Sequence, residues 1–137
     1  MDRLYAAYHD RVEFFIVYIQ EAHPSDGGVL PANTHAGISI KEPTSPAERQ
    51  QVADQACKEL KLRWPCLVDD MANSANRAYA AWPTRLYIVD NDGRIAVAGG
   101  PGPRGLAPSI TEAEDWLKAF TGRSKGKETV PGQGTAP

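Results

Sequence analysis

Thiols are scarce in this sequence of 137 residues, where Cys57 and Cys66 are the two cysteines. They form neither a C-x-x-C motif nor a metal-ligand spacing, and two thiols are too few for a disulfide scaffold. We therefore expect no metal site and a reducing, cytoplasmic location. Long hydrophobic runs are also missing, because the longest, residues 14–19, is too short to span a bilayer. No membrane segment is predicted.

An excess of one charge is missing too. The chain has 15 Lys and Arg against 17 Asp and Glu, scattered rather than clustered. A nucleic-acid groove needs a concentrated basic surface, so no nucleic-acid partner is expected. The length and the 42% apolar fraction fit one globular domain, which we place at residues 1–120. Residues 121–137 have little to bury and are predicted to be a disordered tail.

The strand patterns predict an α/β domain. Residues 12–19 are β-branched and aromatic, which is typical of a strand buried on both faces. Residues 66–69 predict a second short strand. Residues 84–89 and 94–97 flank the turn sequence Asp-Asn-Asp-Gly and predict an antiparallel hairpin.

Helical patterns alternate with these strands. Ser45, Pro46 and Glu48 form a helix start, in which Ser45 caps the first turn and Glu48 closes a capping box. No such pattern occurs in residues 29–43, which are predicted to be a loop. Helices are predicted at residues 1–10, 45–62, 75–81 and 109–120.

Three segments in order resemble the iodothyronine deiodinase family and its bacterial relatives. The first is YIQEAHPSDG at residues 18–27. The second is DMANSANRAY at residues 70–79, continuing through Trp82-Pro83 to Arg85-Leu86-Tyr87. The third is GGPGPRG at residues 99–105, followed by Trp116-Leu117. Together these segments cover about residues 2–120.

The resemblance implies a thioredoxin-like fold, with a mixed sheet and flanking helices. It also implies a central first strand and a G-S-x-T-x-P-P-F-like loop that carries selenocysteine or cysteine. Neither is present in residues 1–137, so we expect this chain alone to be inactive. One hypothesis is that Met1 is an internal start after a selenocysteine stop codon; the alternatives are a cut at that point and a degenerate relative. Without that strand, we expect poor solubility or a homodimer formed through unpaired strand edges.

By the same resemblance, the complete protein is an oxidoreductase that binds no cofactor and uses an external thiol reductant. Its substrate is expected to be a small molecule such as a halogenated phenol. The resemblance makes His23 the proton donor to the departing aryl carbanion, a task that suits an imidazole titrating near neutrality. Glu21, predicted two residues earlier on the same strand face, would orient His23 or relay a proton. The alternative is that both residues brace the turn that follows.

Two further residues receive roles through the resemblance. Pro83 matches the cis-proline of thioredoxin folds, which lies beside the reactive chalcogen; the alternative is a trans proline that ends a helix. Cys66 is a candidate resolving thiol, and the alternative is a buried apolar residue like Cys57. Gly28 replaces a family tryptophan, and His35 does not align with the second histidine of the animal enzymes. Both departures put iodothyronine itself in doubt as the substrate.

Two other functional classes remain open at this point. One is a redox-dead thioredoxin-like module that binds a ligand or partner through the face formed by His23 and Pro83. The other is a peroxide-reducing redoxin.

Overall fold

A computed structural model describes residues 1–124 of the chain. Within them helices and strands are interspersed along the chain, as predicted. The elements are α1 (Asp2–Tyr8), β1 (Ile16–Tyr18), α2 (Pro31–His35), α3 (Pro46–Glu59), β2 (Cys66–Val68), α4 (Ser74–Tyr79), β3 (Tyr87–Val89), β4 (Ile95–Ala98) and α5 (Leu106–Ser124). No helix in this part of the chain is long and apolar enough to cross a membrane.

The strands of residues 1–124 form two separate two-stranded sheets. In one, β1 runs parallel to β2; in the other, β3 runs antiparallel to β4. The α/β composition is therefore confirmed, whereas the single mixed sheet that was predicted is not observed.

Strand β1 is also shorter than the predicted residues 12–19 and is not buried on both faces. Val17 lies opposite Leu67, and the two residues are 43% and 49% exposed. One face of the β1–β2 pair is therefore uncovered in the described structure. An apolar run favours an extended backbone but does not determine what covers it.

The predicted hairpin between β3 and β4 is confirmed. The Gly93 N–H donates to the Asp90 carbonyl oxygen at 3.0 Å, and Gly93 has φ of 77°, a conformation that glycine adopts without steric cost. The Asp90 carboxylate accepts hydrogen bonds from the backbone N–H groups of Asp92 and Arg94, each at 2.9 Å. Local turn chemistry is sufficient to specify this connection.

The first and last helices form the main apolar core. Leu4 and Tyr8 of α1 are buried against Ala113 and Leu117 of α5. Fully burying a leucine side chain, such as Leu4 or Leu117, stabilises the fold by roughly 1.5–3 kcal/mol. The α1 and α5 helices are thus held together although they lie at opposite ends of the described chain.

Helix α5 is longer than the predicted residues 109–120. It begins at Leu106 and continues through Thr121 to Ser124, four residues past the predicted domain end. Ser109 does not cap the helix; its hydroxyl donates to the Gly105 carbonyl oxygen at 2.6 Å and accepts from the Gly100 N–H at 3.0 Å. The rest of the predicted tail lies outside the described residues.

Helix α3 begins as predicted at its cap. The Ser45 hydroxyl accepts the Glu48 N–H at 3.2 Å, and the Glu48 carboxylate accepts the Thr44 N–H and hydroxyl at 2.7 and 2.8 Å. The reciprocal bond therefore reaches Thr44 rather than Ser45, one residue from the standard capping box.

The predicted loop at residues 29–43 contains a helix that the sequence reasoning missed. Helix α2 (Pro31–His35) spans five residues and has Pro31 in its first turn. Proline is favoured there because its fixed φ suits a helix and its missing N–H is not needed.

Candidate active site

Glu21 and His23 lie in an irregular loop after β1, not on a strand face as predicted, because β1 ends at Tyr18. This loop is tied to the segment before α3. The Ser25 N–H donates to the Ile40 carbonyl oxygen at 2.7 Å, and the Asp26 carboxylate accepts the Glu42 N–H at 3.1 Å. One backbone–backbone bond and one backbone–side-chain bond therefore hold the loop that carries both predicted site residues.

The hydrogen bond of His23 determines which ring nitrogen is free. Its Nδ1 lies 3.0 Å from the carbonyl oxygen of Gly28. Since a carbonyl oxygen only accepts, Nδ1 must carry the hydrogen, and Nε2 of the neutral ring keeps its lone pair. The side chain is exposed, so Nε2 can take up a proton and deliver it.

His23 also lines a cleft of about 300 Å³. The opposite wall is formed by α2 and the turn after it. The lining residues are His23, Ser25, Val29, Asn33, Thr34, Gly37, Ile38 and Ser39. The cleft thus combines apolar side chains, small polar groups and one imidazole, a composition suited to a small ligand.

Glu21 is half-buried beside the same loop. Its carboxylate accepts a hydrogen bond from the Tyr18 hydroxyl, and its N–H donates to the Glu42 carboxylate at 2.9 Å. Burial, and then the negative charge of Glu42, raise the pKa of Glu21. No direct hydrogen bond joins Glu21 to His23 in residues 1–124. Each of the two is oriented by a different partner.

The peptide bond between Trp82 and Pro83 is cis. Pro83 lies between α4 and β3, and the neighbouring Thr84 carbonyl oxygen accepts the Gly102 N–H at 2.8 Å. A second cis bond, which was not predicted, precedes Pro103. The role of Pro83 toward a substrate stays a prediction.

Both cysteines are free and half-buried, Cys57 on α3 and Cys66 at the start of β2. Burial, followed by hydrogen bonding with the Cys57 thiol, raises the pKa of Cys66 to about 12. Because the thiolate is the reactive form, Cys66 is a weak nucleophile at neutral pH. Its role as a resolving thiol stays a prediction.

Comparison with known proteins identifies the family. The iodothyronine deiodinase family model matches residues 1–121. This chain belongs to that family. It is 36% identical over 129 residues to thyroxine 5-deiodinase of Sus scrofa, covering 92% of this chain and 39% of the relative.

Two further deiodinases show the same relationship. The chain is 38% identical over 118 residues to thyroxine 5-deiodinase of Sparus aurata, covering 86% of this chain and 42% of the relative. It is 36% identical over 116 residues to type II iodothyronine deiodinase of Homo sapiens, covering 82% and 41%. This member of the deiodinase family therefore spans about two fifths of the length of these relatives.

Two residues that support the site were missed in the sequence of this deiodinase-family chain. Arg49 of α3 is 2% exposed, although charged residues are normally predicted to face solvent. Its spacing from Val52, Ala53 and Ala56 places it on the apolar face of the helix and could have indicated burial. Asp69, buried after β2, accepts backbone N–H groups of α4, including that of Asn76 at 2.9 Å.

Proposed function

We propose that this chain supplies the proton-transfer part of a deiodinase-like oxidoreductase site, with His23 as the proton donor. The observation that carries the proposal is the hydrogen bond from His23 Nδ1 to the Gly28 carbonyl, which leaves Nε2 free beside a cleft. Membership of the iodothyronine deiodinase family supports the same chemistry. The proposed substrate class is a halogenated phenol, with a thiol as the reductant.

The proposed reaction needs a selenolate or thiolate that attacks the halogen of the ring. In the first step the nucleophile bonds to iodine, the carbon–iodine bond breaks, and the ring carbon takes the electron pair and a proton from His23. In the second step two thiols reduce the selenenyl or sulfenyl iodide, which yields the free selenol or thiol, a disulfide, and iodide with a proton. We propose that Cys66 is not the nucleophile, since its raised pKa keeps the thiol protonated at neutral pH.

Glu21 is proposed to restore the proton on His23. Its raised pKa lets the carboxyl hold a proton to a higher pH than an ordinary glutamate, and Glu21 lies two residues before His23 in the same loop. Because no direct bond connects the two side chains in the described residues, this transfer would pass through solvent. We further propose a thioredoxin-like arrangement in the complete protein, with Pro83 next to the reactive chalcogen.

A second candidate is a binding module without redox activity. It is favoured by the raised pKa of Cys66, which keeps this thiol in its unreactive, protonated form at neutral pH. In this case the cleft beside His23 would bind an aryl ligand without cleaving it.

Iodide release separates these candidates. The purified chain is mixed with an iodinated phenol, selenocysteamine as the external nucleophile, and excess dithiothreitol. We expect faster release than without protein and a loss of roughly 100-fold in that gain for His23→Asn, which keeps the donor to Gly28 but lacks Nε2. The control is His35→Asn, because His35 belongs to α2 and bonds Pro31 at 2.8 Å.

Other results of the same experiment would favour the binding module or the peroxide-reducing redoxin. Phenol binding detected by NMR without iodide release would favour the binding module. Peroxide consumption under the same conditions would favour the redoxin. If the chain shows no binding and no turnover, all three candidate functions are contradicted.

A further inference from the structure

Arg49 is the largest fully buried side chain in the described chain, and its charge is held by groups from two other segments. Nη1 donates to the Asp70 carbonyl oxygen at 2.6 Å and to Asn73 Oδ1 at 2.8 Å. Nη2 donates to Glu42 Oε1 at 3.3 Å. A buried guanidinium is stable only when it is paired and hydrogen-bonded, so these partners are fixed by it in turn.

The partners of Arg49 reach two consecutive residues of the site loop. The second oxygen of Glu42, Oε2, accepts the backbone N–H of Glu21 at 2.9 Å. The side-chain amide of Asn73 donates to Gln20 Oε1 at 2.9 Å. Gln20 and Glu21 are therefore each linked to the same guanidinium through one intermediate side chain, Asn73 for Gln20 and Glu42 for Glu21.

We propose that Arg49 is a positioning residue for the loop that carries Glu21 and His23. It touches neither residue and acts through Glu42 and Asn73. The inference deepens the proposed function, on which the relevance of this loop to turnover rests. The geometry itself does not depend on that function.

The proposal rests on the two carboxyl oxygens of Glu42, which accept hydrogen bonds from different partners. Oε1 accepts from the Arg49 guanidinium at 3.3 Å and Oε2 accepts the Glu21 amide at 2.9 Å, so one carboxyl group joins the buried guanidinium to the loop. Without the guanidinium, Glu42 would lose the partner that orients it. A residue that only filled space in the core would not need directed hydrogen bonds. Both terminal nitrogens of Arg49 donate such bonds.

The test reads the loop directly by NMR in the full chain. In Arg49→Lys, which keeps the charge but loses the fork, we expect the Glu21 amide proton to shift and its hydrogen-exchange protection to fall at least tenfold. The Gly99 amide, which bonds Leu86 at 2.9 Å in the hairpin sheet, should stay unchanged. Glu42→Gln should also shift the Glu21 amide, and combining it with Arg49→Lys should add little at that amide because Arg49 reaches it through Glu42.

The control is Val97→Ala, a core change in β4 that is remote in sequence from the loop. It should lower protection throughout the chain and leave the Glu21 shift as in the wild type. Should Arg49→Lys fail to fold, Arg49→Gln, which keeps a side-chain amide donor without the charge or the fork, decides the question by the same two readouts. The proposal is overturned if Glu21 keeps its shift and protection in the variants, or if its protection falls only in parallel with Gly99.

Iodide release is measured separately on the same variants. If the wild type turns over, Arg49→Lys should lower kcat more than it changes KM. If the wild type shows no turnover, the proposed function fails, and the NMR result still decides whether Arg49 positions the loop.

Discussion

Nδ1 of His23 lies 3.0 Å from the carbonyl oxygen of Gly28, which fixes both the ring orientation and the tautomer of the imidazole. Gly28 is exposed, and no side chain is near the position that a Cβ would occupy. The contact therefore depends on how the loop folds back on itself rather than on a side chain at position 28. Because the acceptor is a backbone carbonyl, the residue at position 28 can vary without removing the hydrogen bond that orients His23.

The first prediction concerns that tautomer. In its neutral form, His23 should carry its hydrogen on Nδ1, because its carbonyl partner only accepts. Nitrogen-15 NMR of the imidazole distinguishes the two tautomers. The same measurement in urea is the control, since loss of the loop removes the carbonyl partner. A hydrogen found on Nε2 of the folded protein would contradict the geometry.

The second prediction concerns Glu21, whose pKa in the folded chain lies above its ordinary value of 4.5. Between these two pKa values the folded state binds more protons than the unfolded state. Stability should therefore be fully present below about pH 4.5 and decline as the pH rises through the folded-state pKa.

Glu21→Gln removes this ionisation and should be more stable, relative to the wild type, at pH 7 than at pH 4. Urea unfolding at the two pH values measures the difference. Glu13→Gln is the matched control, because Glu13 is exposed to solvent. Equal effects of Glu21→Gln at both pH values would refute the assigned cause.

Sequence alone predicted the features that depend on local chemistry. The Ser45 cap and the turn that ends at Gly93 each involve residues within four positions of one another, so the pattern contains the whole interaction. The family resemblance supplied His23 and the cis bond at Pro83. These came from motif matching, because no local rule identifies either one.

Features that depend on distant partners were missed. The burial of Arg49 requires Glu42, Asn73 and the Asp70 carbonyl, up to 24 residues away. Strand β1 was predicted too long because an apolar run does not reveal how many neighbours will pair with it. Helix α2 is shorter than the roughly two turns that a periodic pattern needs before it can be recognised.

The third prediction concerns the cap of α3. Ser45→Ala should lower the free energy of unfolding by about 1 kcal/mol, because the Glu48 N–H loses its acceptor. Thermal and urea unfolding measure this loss. The control is Gln51→Ala, an exposed substitution on the same helix that leaves the cap intact. If the two variants unfolded alike, the cap would contribute nothing measurable.

The fourth prediction concerns the reactivity of Cys66. A pKa raised from 9.0 to about 12 lowers the thiolate fraction by roughly a thousandfold, and alkylation proceeds through the thiolate. Iodoacetamide at pH 8 should therefore modify Cys66 at least tenfold more slowly in the folded chain than in urea. Mass spectrometry of the proteolytic peptide that contains Cys66 separates its rate from that of Cys57 in the wild-type chain. Equal rates in the two states would show that burial does not protect the thiol.

The last prediction concerns self-association through the uncovered face of the β1–β2 pair. Val17 and Leu67 lie opposite each other and are about half exposed, and a pair of three-residue strands is marginal by itself. We expect the chain to form a homodimer that covers this face, and Val17→Lys to weaken it, since the dimer would have to bury an ammonium group. Sedimentation velocity across a wide concentration range measures the effect. Leu60→Lys, at the 67% exposed position directly after α3, introduces the same charge away from the sheet and should leave association unchanged. A wild-type chain that stays monomeric at the highest concentration, and unfolds cooperatively, would refute the dimer.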